Sequence, residues 1–351
     1  MTTLLAEIGA TDFGAGGGDA ARGADMDLST CVNRYGPAPA ALSALRRIQP
    51  SDILLHPDGA AEQMVDLYRW ATDVRYGAMI AGRGVGEFLR AMSRELEHHL
   101  VRIPLPAYSG YLKVFPGRGF SPSAERVPSV EQLDAAMAGG RVVVISNPHD
   151  PTGIHLDPDD LVATAAARPE SILVVDESYV EFSSHPSTSS LIGCDVPNIV
   201  VLRSTTKFYG IAATRTGIAW CADPEVLSWL FGRQENWGLS GVDVRAACAA
   251  VRDEAWADDA RRQMLDDCAW LGELLAEFGF EVPAETSVHF RCVLSERAGA
   301  VADELARRGI GVRLLGTEHG IEPAALRIAA PRVEERQRFA AALQAVSSST
   351  R

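Results

Sequence analysis

The sequence predicts an α/β protein, with a large domain built on a mostly parallel sheet flanked by helices and a smaller C-terminal α+β domain. Three observations predict it. Apolar, β-branched runs recur at 99–104, 141–146, 171–176, 198–203 and 215–220, each too short for a helix. Helical stretches such as 129–138 and 157–168 separate several of them, the alternation expected of strands covered on both faces. From about residue 225 the pattern changes to long helices over 240–278, strand 287–294, helix 297–308, strands 310–315 and 325–329, and a closing helix over 333–346.

Taken in order, residues 1–28 carry GAGGG at 14–18 and read as a weakly ordered lead-in. The turn-rich segment 31-CVNRYGPAP-39 follows, with Asn33 and Tyr35. A helix is expected from about Ala38 to Ile48 and a second over 60–73, with His56-Pro57-Asp58-Gly59 as a loop before it. In 79-MIAGRGVGEFLRAM-92 a glycine-rich turn, Gly84-Val85-Gly86, stands directly ahead of an amphipathic helix carrying Phe88, Leu89, Met92 and Leu96. Permissive glycines at a helix start leave backbone N–H groups free to cradle a phosphate, although the same pattern also makes an ordinary tight turn. The aromatic stretch Tyr108 to Tyr111 reads as a loop. Asp223-Pro224 and the polar run from Arg233 to Gly241 mark the change of pattern, which divides the chain into 1–48, 49–225 and 226–351.

Composition narrows the class of function. A chain of 351 residues, 47% apolar and 23% charged, has the length for two domains and the balance of an ordinary globular protein. A net charge of −13 argues against a nucleic-acid or anionic-membrane surface. No apolar run approaches a membrane span, and the N-terminus lacks a signal pattern. Cysteines 31, 194, 221, 248, 268 and 292 include no CxxC pair, so neither a disulfide framework nor a zinc site is expected, and the chain reads as cytoplasmic.

The chemistry concentrates in 198-NIVVLRSTTKFYGIAATRTGIAW-220. The whole chain holds two lysines, Lys113 and Lys207, and Lys207 stands just past the end of a predicted strand. Strand carboxyl ends are where open α/β sheets place their chemistry. A lysine amine condenses with carbonyl cofactors, while hydroxyls and an arginine hold phosphate. Lys207 with Ser204, Thr206 and Arg215 therefore suggests pyridoxal phosphate, against the plainer reading of a surface lysine after a strand. Two preceding strands run into 146-SNPHDPTG-153 and 176-DESYVEF-182. If the three are neighbours, their ends converge on one crevice. A pyridine ring held there needs an anion at its nitrogen, and Asp176 is the candidate. Tyr179 would donate to the ring hydroxyl and Tyr108 stack on the ring face. Taken singly, each reads more readily as a turn aspartate or a core tyrosine; jointly, their order and spacing favour the cofactor.

The set SNPHDPTG, DESYVEF, RSTTKFYGIAATRTG and LRI resembles the fold type I pyridoxal-phosphate enzymes of the aspartate aminotransferase superfamily, in the branch of histidinol-phosphate aminotransferase and threonine-phosphate decarboxylase. The resemblance covers about residues 30–346. It implies Lys207 as the Schiff-base lysine, Asp176 as partner of the pyridine nitrogen and Tyr179 as neighbour of the ring oxygen. It implies a phosphate cup from Ser204, Thr206, Arg215 and the Gly84–Gly86 turn, with Tyr108 stacked on the ring. Arg327 would grip a substrate α-carboxylate and Arg313 a distal acidic group, while the segment with Asn33 and Tyr35 closes over the site. A homodimer with shared active sites, an amino donor and a keto-acid acceptor are implied as well. Three positions depart from the family pattern. Asp150 replaces an asparagine that donates to the ring oxygen, His56 replaces a tyrosine contributed across the dimer, and Val85-Gly86 replaces Ser-Asp. The implied activity is an aminotransferase. Alternatives are a decarboxylase, cyclase or oxidase acting at the same carbon, and a non-catalytic ligand-binding descendant.

Overall fold

The computed structural model describes residues 23–121, 128–232, 236–282 and 286–349. The expected lead-in at 14–18 lies outside them. Seven strands form the main sheet: β2 (Ala78–Gly82), β3 (Val101–Pro104), β4 (Gly119–Phe120), β5 (Val142–Ser146), β6 (Ile172–Asp176), β7 (Ile199–Ser204) and β8 (Gly217–Cys221). Their spatial order is β2-β8-β7-β6-β5-β3-β4. The run from β7 to β4 is parallel, while β8 is antiparallel to both neighbours.

Why these strands read as unbroken apolar runs follows from their two covered faces. Val143, Ile145, Leu173, Val175, Ile199 and Val201 pack into one core cluster. Their chain neighbours Val142, Val144, Val174, Val200 and Leu202 pack into a second, on the opposite face. Residues successive along a strand point to opposite sides, so both registers must be apolar. The second face is covered by helices 85–95, 109–114 and 224–231, which supply Phe88, Met92, Tyr111 and Leu230.

A smaller antiparallel sheet, β11-β12-β9, comprises β9 (Phe290–Leu294), β11 (Arg313–Leu315) and β12 (Ala325–Ala329). The single strand expected over 310–315 is two. Its first part, β10 (Ile310–Gly311), pairs in parallel with β1 (Met26–Asp27). Residues 23–28 therefore depart from the expected weak order. Met26 and Leu28 are buried, and β1 is held by pairing with a segment nearly three hundred residues on, which no local reading can foresee. The edge strand β2 is also new, because the glycines that follow it mask a short run. A further helix, 50–54, falls between the first expected helix and the loop at 56–59, and helix 109–114 replaces an expected loop.

His289 lies in the core between the two sheets, stacked on Phe182 with centroids 3.9 Å apart. Neither ring nitrogen makes a hydrogen bond of normal geometry, and burial pushes its pKa down to about 3. The unfolded chain binds this proton near pH 6.5 and the folded chain does not, so His289 removes stability as pH falls through that window. His289→Phe is expected to reduce the acid loss by up to about 5 kcal/mol between about pH 6.5 and 3. Buried Glu177, pushed up to about 7 by burial against the pull of Arg203, has the opposite slope, and the parent–variant difference cancels it. Urea unfolding of both proteins at stepped pH checks this; parallel curves would disprove it.

Candidate active site

Since β5, β6 and β7 are adjacent, the loops after them meet at one edge, as the sequence requires. A cavity of about 380 Å³ lies there. Lys207, Asp176, Tyr179, Tyr108, Asp150, Ser204, Thr206, Arg215, Arg327, Val85 and Gly86 all line it.

Lys207 follows β7 and is largely withdrawn from solvent, its Nζ 3.4 Å from the Thr30 carbonyl oxygen. Burial lowers its pKa, the more so for the nearby Arg327 and Arg215 guanidinium groups, against the opposing pull of Cys31 and Asp150. A depressed amine is the more available as a nucleophile and as a proton carrier. The other lysine, Lys113, also borders the cavity but is exposed.

Asp176 ends β6 and is buried. One carboxylate oxygen accepts from the Ser178 backbone N–H at 2.9 Å and hydroxyl at 2.6 Å; the other accepts from the Tyr111 hydroxyl at 2.7 Å. Burial raises its pKa, and the Ser178 and Tyr111 bonds pull the other way. The sequence reading missed Tyr111 and Ser178 as site residues. Tyr111 sits three residues after Tyr108 on the unforeseen helix 109–114, a spacing that places the two on neighbouring positions of one turn. Their rings meet edge to face at 5.4 Å. A Cβ on Gly110 would fall 2.1 Å from the Tyr108 ring, so glycine there is what lets that ring lie over the cavity.

At the far end, helix 85–95 starts with Gly84 at φ 73° and has no side-chain cap. A Cβ on Gly84 would stand 3.4 Å from Arg215 Nη2 and 3.6 Å from Ser204 Oγ. Free helix-start N–H groups, two hydroxyls (Ser204 and Thr206, 2.9 Å apart) and a guanidinium thus share one small space. That donor set fits a phosphate.

Asp150 and Arg327 form a direct buried ion pair. Arg327 Nη2 also donates to the Ser29 carbonyl at 3.1 Å, while Nε has no partner. Burial works against the arginine's charge, yet Asp150, Cys31 and Tyr179 more than compensate and hold its pKa well above the usual range. Tyr179 is kept protonated by burial and by Asp150, so its hydroxyl serves as a donor.

Five residues expected at the site do not line the cavity: Gly84, which backs its phosphate end beside Ser204 and Arg215, and four that lie elsewhere. Asn33 braces the lysine loop instead: its backbone N–H donates to the Lys207 carbonyl at 2.9 Å and its amide to the Phe208 carbonyl at 2.7 Å. Tyr35 donates to Asp267 at 2.5 Å. His56 is exposed and stacked on Trp237, with centroids 4.1 Å apart, in a separate groove bordered by Asp52 and Arg245. Arg313 lies opposite Arg327 in the β11–β12 ladder, half-buried.

The family pattern described as aminotransferase class I and II matches residues 24–343. The chain belongs to the class I and II aminotransferases. Among curated proteins it is similar to histidinol-phosphate aminotransferases, 29% identical over 333 residues to that of Symbiobacterium thermophilum (91% of this chain, 90% of that one) and 31% over 307 residues to that of Acetobacter pasteurianus (84% of each). Among solved structures, histidinol-phosphate aminotransferase from Sinorhizobium meliloti in complex with pyridoxal-5'-phosphate superposes with a TM-score of 0.84 at 23% identity, covering 100% of this chain and 98% of that one. The aminotransferase fold of this chain is thus the fold type I architecture, and pyridoxal phosphate is its cofactor. The cavity's lysine, buried carboxylate and phosphate-type donor set are consistent with that group.

Proposed function

We propose that this aminotransferase moves the amine of a small amino phosphate to a keto acid, as a cytoplasmic homodimer, with Lys207 as the reacting lysine. Pyridoxal phosphate supplies an aldehyde that condenses with amines and a ring that accepts electron density from the carbon losing its proton. The chain's residues do the rest. Ser204, Thr206, Arg215 and the Gly84-Val85-Gly86 turn would hold the phosphate, and Asp176 would hold a proton at the ring nitrogen. Tyr108 would cover the ring face, and Tyr179 would donate to the ring oxygen. Lys207 Nζ carries the proton to and from the reacting carbon, its lowered pKa suiting it to both directions. The contact of residues 29–33 with Lys207 and Arg327 supports the N-terminal segment as a cover. His56 and Tyr35 would serve only a neighbouring site in such a dimer, or none. A hinge between the larger and smaller parts fits better after residue 253 than at 225, since helix 241–251 packs on helices 39–46 and 60–72.

The observation that carries the substrate class is Arg313. It makes no ion pair among the described residues, yet its charge reaches Tyr108. An unneutralised guanidinium beside the cavity suits a distal phosphate, and relatives named for histidinol phosphate agree with that. Arg313→Ala is expected to lower kcat/KM for an amino phosphate by about tenfold to a hundredfold, and to leave its dephosphorylated counterpart unchanged. Equal losses on both would remove Arg313 from substrate recognition.

A further inference from the structure

We propose that a groove on the opposite face of β7 from the catalytic cavity is a second ligand site, taking a small organic cation: a protonated nitrogen base on an apolar body. Successive residues of a strand point to opposite faces. Ser204 therefore turns into the cavity, while Arg203 turns into a groove of about 410 Å³. Helix 60–72 supplies Tyr68 to that groove, the turn after β6 supplies Glu181, and the segment after Lys207 supplies Tyr209. The start of helix 254–277 closes it with Glu254, Asp258 and Arg261. Half-exposed Trp70 and buried Ile192 give it an apolar wall.

Two observations select a cation. Tyr68 and Tyr209 are only 3% and 4% exposed, yet neither hydroxyl makes a hydrogen bond among the described residues. Burial keeps both protonated, so each oxygen has lone pairs open to a donor. A buried hydroxyl without a partner costs free energy, so water or a ligand must supply one. The charges decide which ligand. Three carboxylates and two guanidinium groups border the groove, and both guanidinium groups are already paired. Arg203 is held directly by Glu181, with its Nε 3.9 Å from the Glu177 carboxylate behind it. Arg261 pairs with Asp258 at 2.7 Å and donates to the Glu181 carbonyl at 2.9 Å. Glu254 has no ion pair among the described residues, and Glu181 meets Arg203 through one oxygen, Oε1. An anion would face this surplus of carboxylate. A cation with N–H donors instead finds a carboxylate oxygen and two hydroxyl acceptors together, beside an apolar wall for its body.

Benzamidinium and its neutral twin benzamide test this by titration calorimetry on the holoenzyme. The two share a planar aromatic body, and only the first carries a charge. The parent protein should bind benzamidinium about tenfold or more tightly than benzamide, and the double variant Tyr68→Phe, Tyr209→Phe should weaken benzamidinium by about tenfold. Neither hydroxyl has an internal partner to lose, so the double variant is expected to fold as the parent does. The parent ratio decides the matter even if it does not. Equal affinity for the two twins, or no binding of either, would overturn the site. A double variant that binds benzamidinium as the parent does would overturn it as well, because the cation would then lie elsewhere, as in the catalytic cavity.

Discussion

Lys207→Ala is expected to abolish amino transfer, by about 10⁴-fold or more, while the protein stays folded and still retains cofactor non-covalently. The size follows from one amine having two tasks, condensing with the aldehyde and carrying the proton. Retention follows because the phosphate donors, Ser204, Thr206, Arg215 and the start of helix 85–95, hold that group without the Lys207 amine. With two lysines in the chain, the site of attachment is unambiguous. Borohydride treatment of the loaded protein followed by peptide mapping should find the cofactor on the peptide containing Lys207. Attachment at the exposed Lys113, which borders the same cavity, would mean that position rather than burial selects the amine, and the reading of the lowered Lys207 pKa would fail.

Much of this site was legible in the sequence because its carriers lie at the ends of strands buried on both faces. β5, β6 and β7 read as unbroken apolar runs, and the polar residues that stop them, Asp176 and the segment from Ser204 to Lys207, are also the ones that reach the crevice. What could not be read is every relation that depends on packing across the chain. Tyr111 and Asp176 are separated by 65 positions and Asp150 and Arg327 by 177, so both members of each pair could be noticed but not their contact. Arg327, whose place in LRI suggests an arginine for a substrate carboxylate, is paired in the fold with a carboxylate from the chain itself, a contact its local sequence does not show. Asp150, noticed as a departure near the cofactor ring, is tied to Arg327 rather than capping its own turn. β2 escaped for a different reason: it is an edge strand of five residues that runs straight into a glycine-rich turn, so its local pattern merges with that turn.

Asp176→Asn is expected to lower kcat by about 10³-fold, because it removes the one negative charge placed to hold a proton at the ring nitrogen and leaves the shape unchanged. The carboxylate's surroundings allow a finer test. Burial raises its pKa and the Tyr111 hydroxyl opposes that rise, so removing the hydroxyl lets the pKa climb further. A smaller fraction of Asp176 is then ionised at any acidic pH. Tyr111→Phe should therefore move the acid limb of kcat/KM to higher pH, with a loss of about tenfold below neutrality and a much smaller loss on the alkaline side, where Asp176 is ionised in both proteins. The ring itself stays packed, since Phe keeps the edge contact with Tyr108 and the burial against helix 85–95. A purely structural role for Tyr111 would depress the rate equally at every pH. If the limb stays where it is in the parent, Tyr111 only fills space, and the tuning of Asp176 rests on Ser178 alone.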